Sequence, residues 1–181
     1  IEELKRRILL NLQDLLKMID WNEENGIKVF RLSSEMFQHK TNPKVPDYDY
    51  DFAIDLLKQI GEKARKYNHR LTFHPGQFNV LGTPRKKTLD QTIKDLTYHA
   101  DVLDLMEMGK DSVMVIHGGG MYGDKLLTRE RWCENYLKLP DNEEDVDFCI
   151  SSNRLSTCFI IAVCEVVCVS VMTLMLPTIC C

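Results

Sequence analysis

Apolar residues recur at Leu4, Ile8, Leu12, Leu15, Leu16 and Ile19 with charges between them, and this spacing of three and four predicts an amphipathic helix over residues 2–24. Asn25-Gly26 stops it. Ile27 to Leu32 then reads as a short buried strand, and Ser33 to Asp49, with Pro43 and Pro46, as a long loop. The same sequence of elements comes round again. Asp51 to Tyr67 predicts a second helix ended by Asn68, and Arg70 to His74 a second strand. After a loop over Pro75 to Pro84, Lys86 to Met108 predicts a third helix that stops at Gly109. Ser112 to His117 predicts a third strand, Gly118 to Leu127 its loop, and Thr128 to Leu137 a fourth helix. The order αβαβαβα argues for an α/β fold, with parallel strands joined by crossover helices. Long loops follow the strands and short connections lead into them, the asymmetry that marks the functional rim of a β/α barrel.

That rim collects the candidate chemistry. The second and third strands end at His74 and His117, 43 residues apart, and the first ends at Arg31, 43 residues before His74. A constant stride puts both histidines on one edge of the sheet. Neutral imidazole is a ligand for zinc, iron and manganese, and a strand end holds it rigidly. Gly118-Gly119-Gly120 lets another backbone or a substrate approach closely, but matches no dinucleotide or Walker fingerprint. Gln77-Phe78, straight after His74, pairs an amide with an aromatic, which suits wedging into a base stack; the alternative is a ring capping the core. Asn42 supplies either an oxygen ligand or a turn before Pro43, and Lys125 either a phosphate contact or a solvated loop lysine. His99 is expected to pack within its helix, His69 and His39 to lie on the surface, and Met106, Met108 and Trp132 to join the core.

Charge divides the chain at Pro140. Residues 1–140 carry about +1 and residues 141–181 about −5, so the total of −4 conceals a body that is not acidic and leaves room for a local basic face. Cysteine is as uneven: Cys133 stands alone before residue 149, and the other six crowd the last 33 residues. The body therefore reads as belonging to a reduced, intracellular compartment. Its charged amphipathic opening is not a secretory signal. The spacing of the late cysteines matches no zinc site. Asp141 to Asp147 is acidic, and Cys158 to Leu176 is almost wholly apolar with Glu165 inside it, too marginal a span to predict membrane contact. Residues 1–140 are thus expected to form the β/α unit, and 141–181 a divergent acidic, then hydrophobic and Cys-rich tail.

Taken together, Phe30-Arg31-Leu32-Ser33-Ser34, His74-Pro75-Gly76-Gln77-Phe78, Tyr98-His99-Ala100 and the run from His117 to Lys125 resemble the UV damage endonuclease family, with the motifs in the family's order over about residues 4 to 140. The resemblance implies a TIM-type barrel, here a partial one. It also implies metal-dependent hydrolysis of damaged double-stranded DNA on the 5′ side of ultraviolet photoproducts, with divalent ions, manganese foremost. On that reading His74 and His117 are metal ligands and Asn42 stands where some relatives have a ligating histidine. Gln77 and Phe78 probe the lesion, many relatives having Tyr in place of Phe78. A monomer acting in the nucleus, without a small-molecule cofactor, is expected.

The family's bridging glutamate and later Asp, His, Lys and Glu ligands have no match in the tail, and three strands are identified where a closed barrel has about eight. This predicts weak or no nicking by the polypeptide itself. Two alternatives stay open: a non-catalytic DNA- or partner-binding remnant, and a sugar-isomerase-like barrel, which also keeps histidines at strand ends.

Overall fold

The computed structural model of the chain describes residues 1–109 and 112–139, together with the backbone of a strand at Cys158–Val163. Helix α1 (Glu2–Glu24) precedes strand β1 (Val29–Arg31), α2 (Ile54–Lys66) precedes β2 (Arg70–Thr72), α3 (Lys86–Leu105) precedes β3 (Ser112–His117), and α4 (Lys125–Tyr136) precedes β4 (Cys158–Val163). All pairings are parallel. β1 pairs with β2 with Arg31 opposite Thr72, and β3 pairs with β4 with His117 opposite Val163. The two pairs are joined at Phe73, whose N–H donates to Val113 O at 3.0 Å and whose carbonyl accepts from Val115 N at 2.9 Å. The strands therefore lie side by side in chain order, each reached through a helix, as in a TIM-type β/α arrangement.

The helices form where the apolar stripes predicted them. Ile8, Leu12, Leu15 and Ile19 of α1 are buried against α2, which contributes Leu57, Ile60 and Ala64 to the same core. Each large aliphatic side chain so buried contributes roughly 1.5–3 kcal/mol. Lys63 Nζ donates to Asp20 Oδ2 at 2.7 Å across the two helices. Gly61 allows the tightest approach between α2 and the end of α3: a Cβ there would stand 1.6 Å from the Met106 carbonyl oxygen. Met106 and Trp132 are fully buried and Met108 packs on the core, as expected.

Several expectations are corrected. β1 is not a buried strand: Val29 is 58% exposed and Arg31 is also exposed, both on the face opposite Phe30, which packs against the core. α3 ends at Leu105 rather than running to Met108. Glu107 takes a left-handed φ of 52°, and Arg65 Nη1 donates to the carbonyls of Met106 and Glu107 at 2.6 Å each, satisfying the helix end. α4 starts three residues before Thr128, because Asp124 Oδ1 accepts from Leu126 N and Leu127 N and caps the helix there. Lys125 is thus the first helical residue and not a loop residue. His69 is not a surface residue. The left-handed Asn68 (φ 54°) turns the chain under the end of α1, where the buried His69 ring places Nε2 2.9 Å from Glu23 Oε2.

Within the tail, Cys158–Val163 lies beside β3; residues 164–176 of the apolar run fall outside the described residues. Among the described residues no helix is long and apolar enough to cross a membrane.

Candidate metal centre and nucleic-acid interface

Because β2 and β3 run parallel and adjacent, their C-terminal ends bring His74 and His117 together. Their ring centroids are 4.7 Å apart at an interplanar angle of 40°, and both residues are half-buried. The end of β1 adds Arg31, whose Nη1 donates to His74 Nδ1 at 3.3 Å. His74 is fixed from the backbone as well, since Ser34 Oγ donates to its carbonyl at 2.8 Å. Partial burial first, then the neighbouring His117 and Arg31, holds the His74 imidazole below its ordinary pKa of 6.5. The ring is consequently neutral at pH 7, the state in which imidazole ligates a metal.

Two imidazoles on one rim fit part of a divalent-ion shell. Among the described residues, however, no group of three or more His, Cys, Asp or Glu side chains is placed to hold an ion. The pair can supply two ligands and no more from these residues. Asn42 lies in the loop after β1, where its Oδ1 accepts from Lys44 N at 3.0 Å in a local turn and its residue lines a small cleft with Asp95 and Tyr98. Lys125 is exposed at the start of α4.

Gln77 and Phe78 occupy the two central positions of a turn closed by Asn79 N donating to Gly76 O at 3.0 Å. Both are exposed, and the Phe78 ring is 81% accessible, the highest value among the exposed large hydrophobic side chains. The alternative of a ring capping the core is therefore excluded. Immediately after the turn the chain is pinned: Asn79 Nδ2 donates to Asp95 Oδ2 at 2.6 Å, Val80 N donates to Thr92 Oγ1 at 3.2 Å, and Val80 packs against Gly119 of the loop after β3. Gly119 (φ 79°) has no Cβ to obstruct that contact.

Two participants were given no role by the sequence. Arg31 stands in the Phe30–Ser34 motif and in the 43-residue stride, yet neither assigns its side chain a contact. Asp95 has no motif around it, yet its carboxylate joins both loops of the rim, Oδ1 accepting from Thr41 Oγ1 at 3.0 Å and Oδ2 from Asn79. Gln91 adds a donor to Thr41 O at 2.7 Å. His99, one turn beyond Asp95, is buried as expected, with Nδ1 2.6 Å from Asp95 O and its ring edge-on to Phe73.

The family model for UV-endonuclease UvdE matches residues 1–147. The chain belongs to that family. Among its curated relatives it is 46% identical over 136 residues to the UV-damage endonuclease of Neurospora crassa, covering 72% of this chain and 21% of that protein. It is 38% identical over 146 residues to the UV-damage endonuclease of Schizosaccharomyces pombe, covering 78% and 24%. The crystal structure of SacUVDE superposes with a TM-score of 0.70 at 30% identity, covering 83% of this chain and 55% of that one. The UvdE match decides against the sugar-isomerase-like alternative. It also runs seven residues beyond Pro140, into the stretch expected to diverge. The chain spans between about a fifth and a half of the length of these UvdE relatives.

Proposed function

We propose that this chain carries the lesion-probing turn and two of the metal ligands of a DNA-repair endonuclease that nicks duplex DNA 5′ to ultraviolet photoproducts. One observation supports this above the others. The most exposed large hydrophobic ring among the described residues is held on a pinned turn four residues beyond His74, on the rim where His74 and His117 meet. An exposed phenyl side chain on a rigid turn costs little to order on binding and fits between bases. A photoproduct stacks and pairs poorly, so kinking and extruding it costs less than disturbing normal duplex, and Phe78 with the Gln77 amide would occupy the space it leaves.

Divalent ions, manganese foremost, are the expected cofactor, held in part by His74 and His117. Such ions supply Lewis-acid neutralisation of the charge that develops on the phosphodiester. Arg31 steadies His74, and its exposed guanidinium is available to a phosphate. The partner is damaged double-stranded DNA, with the nucleus the expected compartment. A second reading, lesion binding without cutting, is favoured because among the described residues no carboxylate joins the two histidines.

The test is fluorescence anisotropy with duplexes that differ by a single thymine dimer. The chain should prefer the damaged duplex, and Phe78→Ala should remove about tenfold or more of that preference, the worth of a base–aromatic stack. Equal affinity of the unaltered protein for both duplexes would overturn the proposal.

A further inference from the structure

The loop after β3 carries a second exposed apolar group, which neither the histidine pair nor the probing turn uses. Met121, Tyr122, Leu126 and Leu127 are each between 44% and 61% exposed, on that loop and the first turn of α4. The group is fastened to the frame that holds Phe78. Gly119 packs against Val80 at one end of the loop, and at the other the Thr128 hydroxyl donates to the Met121 carbonyl. Thr128 in turn lies against the segment that follows the probing turn: a Cβ on Gly82 would stand 3.0 Å from its Cγ2, and Arg131 Nε donates to Gly82 O at 2.9 Å. Tyr122 (φ 46°) and Gly123 (φ 88°) are successive left-handed residues. For tyrosine that backbone costs free energy, which the flanking contacts offset, so the ring stands on a turn with little freedom to lose on binding. Asp124, the one acid of the loop, is engaged in capping α4, while Lys125 is exposed with no carboxylate partner among the described residues.

We propose that Met121 and Tyr122 form a second wedge, which enters the minor groove of the intact duplex arm beside the lesion, with Lys125 on the phosphate backbone of that arm. The inference rests on the lesion-probing reading above. A kink at the lesion lasts only if an arm is held in its new direction, and apolar side chains wedged at the minor groove do this in proteins that bend DNA. Met121, Tyr122 and Leu126 have the size and polarity for that role, and a cation beside them meets a phosphate. A protein partner asks for more surface. Stable protein interfaces take about 20–30 residues a side, against the four exposed side chains of this group. Phe78 and Tyr122 stand beyond the ends of adjacent strands, β2 and β3, so one bent duplex can meet both.

The test is fluorescence anisotropy on three thymine-dimer duplexes: one with two full arms, and two in which one arm or the other is cut short. Tyr122→Asn removes the ring and installs a residue that accepts left-handed backbone, whereas Tyr122→Phe keeps the ring. The expected result for Tyr122→Asn is about fivefold or greater weakening on the full duplex and on one shortened duplex, with no change on the other. Tyr122→Phe should bind all three as the unaltered chain does. Lys125→Met should reduce the slope of log affinity against log salt by about 0.9 on the duplexes that respond to Tyr122→Asn, and an unmoved slope overturns the phosphate contact. Equal weakening by Tyr122→Asn on all three duplexes would put the ring at the lesion, and unchanged affinity on all three would leave it without a DNA contact. Either result overturns the second wedge while leaving lesion probing by Phe78 intact. A sedimentation mass of two chains that Tyr122→Asn returns to one would assign the group to a second copy and overturn the wedge as well. If the unaltered chain does not prefer the dimer duplex over undamaged DNA, lesion probing fails and the second wedge fails with it.

Discussion

Arg31 points Nη1 at His74 Nδ1 across 3.3 Å, so a guanidinium that closes one strand holds the imidazole that closes the next. A donor at Nδ1 requires the lone pair of a neutral ring there, which places the His74 proton on Nε2. An ion entering at Nδ1 must therefore displace Arg31, whereas one entering at Nε2 must displace a proton. Arg31 is exposed at the end of the short β1.

The pH dependence of stability follows from the same contact. His74 titrates below 6.5 in the folded protein, chiefly through burial and then through His117 and Arg31. As pH falls below 6.5 the unfolded chain takes up a proton that the folded chain resists, so stability drops through that window and is complete above it. Arg31→Met should raise the His74 pKa toward 6.5 and flatten the slope. An NMR titration of the His74 C2 proton reads the first effect, and urea midpoints between pH 5 and 7.5 the second. A His74 pKa unmoved by Arg31→Met would show that the guanidinium exerts no field on the ring.

Asp95 ties the loop after β1 to the probing turn. Asp95→Ala removes the acceptor for both Thr41 and Asn79, and hydrogen bonds to a charged group are worth about 1.5–3 kcal/mol each. Loss of about 2–4 kcal/mol in chemical denaturation is expected, given that bonds sharing one partner are not additive. Asp95→Asn should lose less. In conditions where both variants are folded, Asp95→Ala should also lower the preference for dimer DNA, because the turn is no longer pinned. Retained preference would assign Asp95 to stability alone.

Manganese should bind this chain weakly, and His74→Ala or His117→Ala should each abolish that binding in isothermal titration calorimetry, since two ligands are the most these residues bring together. With no carboxylate beside them among the described residues, incubation of the chain with Mn²⁺ and a dimer-bearing duplex should yield weak nicking or none. Efficient cutting 5′ to the dimer would overturn this prediction and show that the chain completes a centre.

Gly61→Ala tests the packing that carries the rim. The new methyl carbon would sit 1.6 Å from a backbone carbonyl oxygen, so the end of α3 must move away from α2. Overpacking of this kind costs about 1–3 kcal/mol, and more where the neighbour is backbone. A urea midpoint within error of the unaltered protein would show that this crossing yields easily.

Periodicity was enough to place the helices, because an amphipathic stripe is a local property that survives into the fold: Ile8, Leu12, Leu15 and Ile19 are read and buried alike. The 43-residue stride was enough to put Arg31, His74 and His117 on one rim, because repeated β/α units can close only with parallel strands in register. The motifs around those residues named the family. Tertiary structure decided what local pattern cannot encode. Whether Phe78 capped the core or faced solvent depended on a turn pinned by Asp95, sixteen residues along the chain from Asn79. The exposure of one face of β1 depended on what packs against each of its faces, and the burial of His69 on Glu23 at the end of α1 lying beside the turn at Asn68. These are properties of contacts between distant residues rather than of their order in the chain.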